Sequence, residues 1–369
     1  MKILVVQDYL RSGGTERQSV LLANAFAAAG HATTLLTFRP GGALTATVSP
    51  AVARITLQPF DLSLDWFAPG LFARAALLQP DVILCMGRMA NCYAGGLQSR
   101  HPRAAVIATM RTGKKLPRLF RRSLRLARHI VANSHDARAT LITQHALPAE
   151  KISVIHNSLV FPPASSVGGV PLPRSRTSTL RTQHHATPAT TIFLNVAMFR
   201  PEKNQRELIE IAATLPPALD WQLWLAGDGP ARPACEALAA KLNLTDRVRF
   251  LGFHRDPSPL YAAADIAVHA SWSEALSNFL IEAQAHGLPA VAYDAQGIRE
   301  CFVPDRTGWV IARDDRTAFR TALAHLIAEP AAARAARSAE ARAYARTTFD
   351  PARQVAAYLD LFTRLASRP

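Results

Sequence analysis

Residues 271–300 read SWSEALSNFLIEAQAHGLPAVAYDAQGIRE, and their two glutamates, Glu274 and Glu282, stand eight positions apart. On one continuous helix that spacing would leave the two carboxylates about 80° apart. We therefore place Glu274 in the loop after a strand that ends near Ala270, and Glu282 inside the helix that follows. The N-terminus of this helix, near 276–278, would direct backbone N–H groups into a cleft, which suits a diphosphate.

The same strand-then-helix pattern extends along most of the chain. Short apolar runs alternate with helical stretches between residues 3 and 155, and the alternation restarts at residue 192. Such alternation is typical of parallel sheets flanked by helices, and ligands bind outside the carboxyl ends of their strands. At 369 residues and 49% hydrophobic, the chain is too long for one core and apolar enough to fill two.

The composition also indicates where the domains end. We predict an N-terminal domain over residues 1–165 and a C-terminal domain over residues 191–349. Residues 166–190 are rich in Pro, Ser, Thr and Gly and contain no acid, so we predict an interdomain linker or a surface excursion there. For residues 350–369 we expect a helix that packs back on the N-terminal domain.

The net charge of +15 lies in the first half of the chain. Residues 1–200 hold 23 Lys and Arg against 7 Asp and Glu, whereas residues 201–369 hold 19 against 20. The densest stretch, 111–128, reads RTGKKLPRLFRRSLRLAR and interleaves eight cations with Leu and Phe. This pattern is typical of a basic amphipathic helix at a membrane surface, and a solvated helix face is the alternative.

The start of the chain bears on localisation. It lacks the long apolar stretch of a signal peptide, and no apolar run reaches the roughly 20 residues that span a bilayer. We therefore expect a cytoplasmic protein, peripheral at the inner face of the cytoplasmic membrane. The four cysteines and the histidines, including His135, His156 and His269, show no metal-binding spacing, so we interpret them as structural.

Several short motifs accompany the glutamate pair. They are Gly13-Gly14-Thr15-Glu16 after the first strand, VANS at 131–134, ISVIHN at 152–157, RPEKN at 200–204, AGDGP at 226–230 and FLG at 250–252. With the E-x7-E spacing and the GLPAV and GIRE runs that follow it, they resemble glycosyltransferase family 4, whose members are retaining enzymes. The resemblance implies an α/β structure of the GT-B fold, with two Rossmann-like, doubly wound parallel-sheet domains facing a cleft.

The resemblance also implies roles for individual residues. Glu274 resembles the glutamate that contacts the donor sugar, and Glu282 the one that binds the ribose hydroxyls. Arg200 and Lys203 resemble the cationic pair on the diphosphate, although the family often has arginine where this chain has Met198. The other implied positions are Gly13 and Gly14 at the distal phosphate, Gly227, Gly229 and Gly252 at the base, Ala275, Leu276, Ser277 and Asn278 at the helix start, and Arg111, which we place on the acceptor side.

The activity implied by the resemblance is transfer of a sugar, with retained anomeric configuration, from a UDP-sugar or GDP-sugar. The acceptor would be a cell-envelope glycan or glycolipid, such as lipopolysaccharide core or polysaccharide, near an anionic membrane surface. The leaving phosphate would take the acceptor's proton, so no protein nucleophile is required. Because the chain contains no Asp-x-Asp and two cations can neutralise the diphosphate, we expect neither a metal nor a cofactor.

Other functions remain as alternatives. An epimerase or an inactive homologue of the same fold would carry the same motifs. A nucleotide-cofactor dehydrogenase needs G-x-G-x-x-G after the first strand, where residues 11–18 read RSGGTERQ. Nucleic-acid binding fits the isoelectric point of about 10.5, but the chain has no recognised binding module and a neutral second half, so we expect no nucleic acid partner.

Overall fold

The computed structural model describes residues 1–159, 161 and 174–366, of which 174–178 are described by their backbone. In these ranges the strands are β1 (Lys2–Gln7), β2 (Ala32–Thr37), β3 (Ala53–Thr56), β4 (Val82–Cys85), β5 (Ala105–Met110), β6 (His129–Ala132), β7 (Ile152–Val154), β8 (Thr191–Val196), β9 (Trp221–Ala226), β10 (Val248–Gly252), β11 (Ile266–His269), β12 (Ala290–Tyr293) and β13 (Gly308–Ile311). The helices are α1 (Gly14–Ala28), α2 (Leu71–Leu78), α3 (Arg88–Arg100), α4 (Arg118–Leu126), α5 (His135–Thr143), α6 (Arg174–Gln183), α7 (Gln205–Ala212), α8 (Arg232–Lys241), α9 (Ser258–Ala263), α10 (Asn278–Ala285), α11 (Arg316–Ala328), α12 (Ala331–Thr348) and α13 (Pro351–Ala366).

The chain forms two compact units. Unit 1 comprises Met1–Ser158 and Pro351–Pro369, and unit 2 comprises Leu159–Asp350. In the described part of unit 1 a parallel sheet has the order β3-β2-β1-β4-β5-β6-β7. Strands β4 and β5 are buried along their whole length, as expected of parallel strands covered on both faces. The strand order reverses between β1 and β4, so the loops after them flank the position where such sheets bind ligands.

The helix at the end of the chain, α13, belongs to unit 1. Its Tyr358 and Phe362 pack edge-on against Phe26 of α1, with ring centroids 6.1 and 5.3 Å away. Beside them the buried amide of Gln354 donates to Oε1 of Gln18, which is 336 positions earlier, at 3.0 Å. The last described helix therefore completes the core on one face of the first sheet.

Unit 2 repeats the layered arrangement. Its described sheet is parallel, with the order β10-β9-β8-β11-β12-β13, and the order reverses between β8 and β11. The loops after β8, β9, β10 and β11 consequently lie along one edge of the sheet, where the sequence motifs of this half are found.

Some elements differ from the sequence expectation. The edge strands β3 and β13 were not predicted, and β3 is mostly exposed, so its residues lack the apolar pattern that identifies a strand. Of the predicted linker, residues 166–173 lie outside the described residues. Residues 174–183 form α6, whose Arg181 donates to the carbonyl oxygen of Ala263 at 2.7 Å and pairs with Asp265 at 3.2 Å.

The length and hydropathy of a helix determine whether it can span a membrane. Across the described ranges, the structure holds no helix with the length and apolar character needed to cross a bilayer.

Candidate functional site

Unit 2 brings three of its charged or polar side chains together at the edge of its sheet. Lys203 closes a short turn after β8, His269 is the last residue of β11, and Glu274 lies in the loop after β11. Because β8 and β11 are paired in parallel, both loops emerge at the same edge. Oε1 of Glu274 is 2.5 Å from Nζ of Lys203 and 3.0 Å from Nε2 of His269.

This cluster fixes the charge of Glu274. The residue is 8% exposed. Burial alone would raise its pKa, but the charge of Lys203 and the hydrogen bond from His269 outweigh that effect and lower the pKa to about 2. Glu274 is therefore a carboxylate at neutral pH, with a cation held against it.

The loop between Glu274 and α10 is held by close backbone contacts. A Cβ added at Gly297, where φ is +74°, would lie 1.9 Å from the carbonyl oxygen of Ala275. The Ser277 hydroxyl caps α10 by accepting from the N–H of Leu280. Residues 275–278 thus present the helix N-terminus, which carries partial positive charge, in a defined position.

Glu282 lies inside α10, as the sequence predicted. Its Oε2 accepts a hydrogen bond of 2.6 Å from the hydroxyl of Tyr261 on α9. The Tyr261 ring stacks on His286 at 5.0 Å and on Phe279 at 6.1 Å, which fixes its orientation. One carboxylate oxygen of Glu282 is thereby positioned by an aromatic neighbour.

Backbone packing accounts for the glycines of unit 2. Gly227 and Gly229 have φ of +137° and +148°, and a Cβ there would lie 2.0 Å from the carbonyl oxygen of Ala197 and 2.4 Å from that of Phe199. The N–H of Gly227 also donates to the Gly252 carbonyl at 2.7 Å. These glycines therefore join the loops after β8, β9 and β10, and their place at a base pocket stays a prediction.

Arg200 differs from Lys203 in its contacts. Its side chain is half-buried and makes no hydrogen bond or ion pair with any described residue. Met198, which occupies the position where the family often has arginine, is 39% exposed. The guanidinium of Arg200 is thus uncommitted, as its predicted role on the diphosphate requires.

The predicted residues of unit 1 have other partners. Gly13 precedes α1, and a Cβ there would lie 2.5 Å from the Glu16 carboxylate, so that carboxylate lies over the helix start. A phosphate at Gly13 and Gly14 would require Glu16 to turn away. The Arg111 guanidinium donates to Asn157 and to the Tyr358 hydroxyl, which ties α13 to the sheet, and its acceptor role stays a prediction.

Two functional candidates were missed from the sequence. His269 was interpreted as a structural histidine, yet its Nε2 bonds the carboxylate of Glu274, five positions later, because the loop after β11 folds back onto the end of its own strand. In unit 1, buried Asp8 follows β1 and accepts from the N–H groups of Met89 and Ala90. Burial raises its pKa to about 7 against the effect of those hydrogen bonds.

Two family models match the chain, one over each half. The model described as Glycosyltransferase Family 4 matches residues 12–159, and the model described as Glycosyl transferases group 1 matches residues 177–346. The chain belongs to glycosyltransferase family 4.

Individual relatives agree with this family assignment. A lipopolysaccharide core biosynthesis glycosyltransferase, LpsE of Rhizobium meliloti (strain 1021), is 33% identical over 39% of this chain and 42% of its own length. The putative glycosyltransferase EpsD of Bacillus subtilis (strain 168) is 31% identical over 50% of each chain. The family 4 chain thus spans at most about half the length of these two relatives.

Solved structures match over nearly the whole chain. Anabaena Alr3699/HepE in complex with UDP-glucose has a TM-score of 0.80 and 23% identity, covering 99% of this chain and 100% of that one. A glycosyltransferase from Rickettsia africae ESF-5 has a TM-score of 0.81 and 19% identity, covering 100% of both. At these identities the likeness shows the fold, which is the GT-B fold with two parallel-sheet α/β domains, as predicted.

Proposed function

We propose that this family 4 protein is a retaining glycosyltransferase that moves a sugar from a nucleotide diphosphate donor to a cell-envelope glycan or glycolipid. The observation that carries the proposal is the pairing of Lys203 with the buried Glu274 carboxylate beside the start of α10. A fixed anion suits the hydroxyls of a donor sugar, and a cation beside a helix N-terminus suits the diphosphate that leaves.

The donor is either a UDP-sugar or a GDP-sugar. Lys203 and the uncommitted Arg200 supply the cations, and Glu282, oriented by Tyr261, supplies a carboxylate for the ribose hydroxyls. The matched Anabaena structures contain UDP and UDP-glucose, which favours UDP as the first donor to test. Thermal shift against a panel of nucleotide sugars identifies the donor, since a ligand that binds only the folded state raises its stability.

The proposed mechanism uses the leaving phosphate as the base. A carboxylate with a pKa of about 2 is a poor proton acceptor at neutral pH, so Glu274 is suited to holding the sugar rather than to deprotonating the acceptor. An oxygen of the departing diphosphate would instead take the acceptor's proton on the face it leaves, which retains the anomeric configuration. Arg200 and Lys203 would stabilise the charge that develops there without a metal.

The proposed acceptor belongs to the cell envelope. LpsE, which is named for lipopolysaccharide core biosynthesis, supports this class of acceptor. Helix α4 presents exposed Arg118, Arg121, Arg122 and Arg125, which supports peripheral attachment to the anionic inner face of the cytoplasmic membrane.

The deciding experiment measures product and anomeric configuration with the identified donor and envelope glycan fractions, with and without EDTA. The proposal requires release of nucleotide diphosphate that depends on acceptor, a retained linkage, and activity that survives chelation. Release without any acceptor would favour the epimerase alternative, and no release would favour an inactive homologue.

A further inference from the structure

Unit 1 contains an open pocket of about 510 Å³ with a strongly basic lining. It is lined by Arg88, Lys115, Leu116, Pro117, Arg118 and Arg121. The lining thus brings four cations around an opening, with two apolar residues between them.

The pocket lies at the functional edge of the first sheet. Arg88 begins α3 directly after β4, and the other lining residues lie between β5 and the first turn of α4. Strands β4 and β5 are paired in parallel, so both segments leave the sheet at its carboxyl edge. Open α/β sheets bind their ligands at that edge.

Among the residues that the structure describes, no carboxylate neutralises the four cations of the pocket. No described Asp or Glu lies within ion-pair distance of Arg88, Lys115, Arg118 or Arg121. Nη2 of Arg88 donates to the Lys115 carbonyl at 3.0 Å, which links the two segments. Pro117 precedes α4 and supplies no side-chain acceptor, so the helix start adds further positive potential.

The pocket occupies only part of the basic helix. Arg122 and Arg125 are also exposed on α4, but they do not line it. General attraction to an anionic surface would use all four arginines alike, whereas a pocket uses the two that converge with Arg88 and Lys115.

We propose that this pocket binds a phosphate group carried by the acceptor. Guanidinium groups bind phosphate oxygens in pairs, and several such groups around one opening suit a compact, multiply charged anion better than a single carboxylate. The role of that phosphate in positioning an acceptor rests on the proposed transferase function. The phosphate belongs either to a phosphorylated glycan or to a lipid headgroup.

Two matched double variants test the pocket. R118S/R121S removes two pocket cations, and R122S/R125S removes the same charge from the same helix outside the pocket. Titration calorimetry with inorganic phosphate and with glucose 6-phosphate should show binding about tenfold weaker in R118S/R121S and within about twofold of wild type in R122S/R125S. Equal weakening in both variants, or no phosphate binding by the wild type, would overturn the proposal.

Vesicles distinguish the two sources of phosphate. Phosphatidylcholine vesicles doped with phosphatidic acid carry the monoester on a lipid, and glucose 6-phosphate carries it on a sugar. Selective loss in R118S/R121S with either probe supports the pocket and names the source. UDP binding, measured in the same proteins, tests the donor site separately. A wild-type protein that does not bind UDP would contradict the proposed function, but the result for phosphate binding would remain valid.

Discussion

Nζ of Lys203 lies 2.5 Å from Oε1 of Glu274, although 71 positions separate the two residues. The pair joins the loops after two neighbouring strands, and its carboxylate is buried whereas the lysine side chain is 25% exposed. The Glu274 carboxylate is therefore fixed, whereas the Lys203 side chain remains partly exposed and is accessible to a diphosphate. Removing the lysine and removing the carboxylate should therefore affect the kinetics of the proposed reaction in different ways.

Lys203→Ala should lower kcat/KM by about 100-fold, because it removes a cation that would stabilise the negative charge developing on the leaving diphosphate. Glu274→Gln should lower kcat with little change in donor KM, since its contact is with the reacting sugar. Steady-state kinetics on folded variants measures both effects. Lys241→Ala, which alters an exposed lysine on α8, is the control. Wild-type turnover in Glu274→Gln would show that Glu274 has no role in the reaction.

Glu282→Ala should raise the donor KM because it removes a carboxylate that binds ground state and transition state alike. Tyr261→Phe should raise the same KM by a smaller factor, since it deletes the hydroxyl that holds Oε2 of Glu282. Donor titrations at saturating acceptor measure both constants. An unchanged donor KM in Glu282→Ala would contradict the ribose role.

Gly227→Ala should destabilise unit 2 by about 3 kcal/mol, because its Cβ would meet the Ala197 carbonyl oxygen at a positive φ. Gly30→Ala is the matched control: its φ of +83° is also positive, but no heavy atom lies within 4 Å of the added Cβ. It should cost about 1 kcal/mol of backbone strain alone. Urea unfolding compares the two variants, and equal losses would show that the close approach has no energetic weight.

The strand pattern and the glutamate spacing were readable from the sequence because apolar runs and a capped helix are local properties. The loop position of Glu274 and the helical position of Glu282 followed from that pattern, and the structure agrees. The contact of Lys203 with Glu274, which depends on the pairing of β8 with β11, was not readable, and neither was the loop path that brings Glu274 back to His269. Nothing in one sequence specifies which neighbouring loop a side chain contacts.

Helix α3 shows a different limit of sequence analysis. It contains Gly95 and Gly96, which disfavour helix formation, and it was not predicted. In the structure a Cβ at Gly95 would lie 3.0 Å from Cα of Ser123 on α4. The glycine therefore permits close packing of α3 on α4, a tertiary reason that outweighs local propensity.

Changing Arg118, Arg121, Arg122 and Arg125 to Ser should weaken binding to anionic liposomes. Each cation at such a surface contributes about 1 kcal/mol, and salt should weaken the attraction further. Co-sedimentation at several salt concentrations measures this. A control with exposed Arg54, Arg103, Arg255 and Arg320 changed to Ser loses the same net charge elsewhere. Equal binding of wild type and the α4 variant would show that α4 is an ordinary solvated helix with no role at the membrane.

The stability of unit 2 should depend on pH through Glu274. Its pKa is lowered from 4.5 to about 2 in the folded protein, so its contribution is present above pH 4.5 and is lost as pH falls through about 2. A shift of this size corresponds to about 3 kcal/mol at neutral pH. The difference in unfolding free energy between wild type and Glu274→Gln should therefore be about 3 kcal/mol at pH 7 and should shrink toward zero near pH 2.

Tryptophan fluorescence suits this measurement, because four of the five tryptophans, Trp221, Trp224, Trp272 and Trp309, lie in unit 2. Asp8, whose pKa is raised to about 7, acts in the opposite direction: its contribution is full below pH 3.8 and is lost as pH rises through 7. Both proteins share Asp8, so the comparison cancels it. Glu236→Gln, which alters a carboxylate with a 44% exposed side chain paired with Arg232, should change stability by only about 0.5 kcal/mol. A wild-type advantage over Glu274→Gln that stays constant from pH 7 to pH 3 would show that folding does not lower the pKa of Glu274.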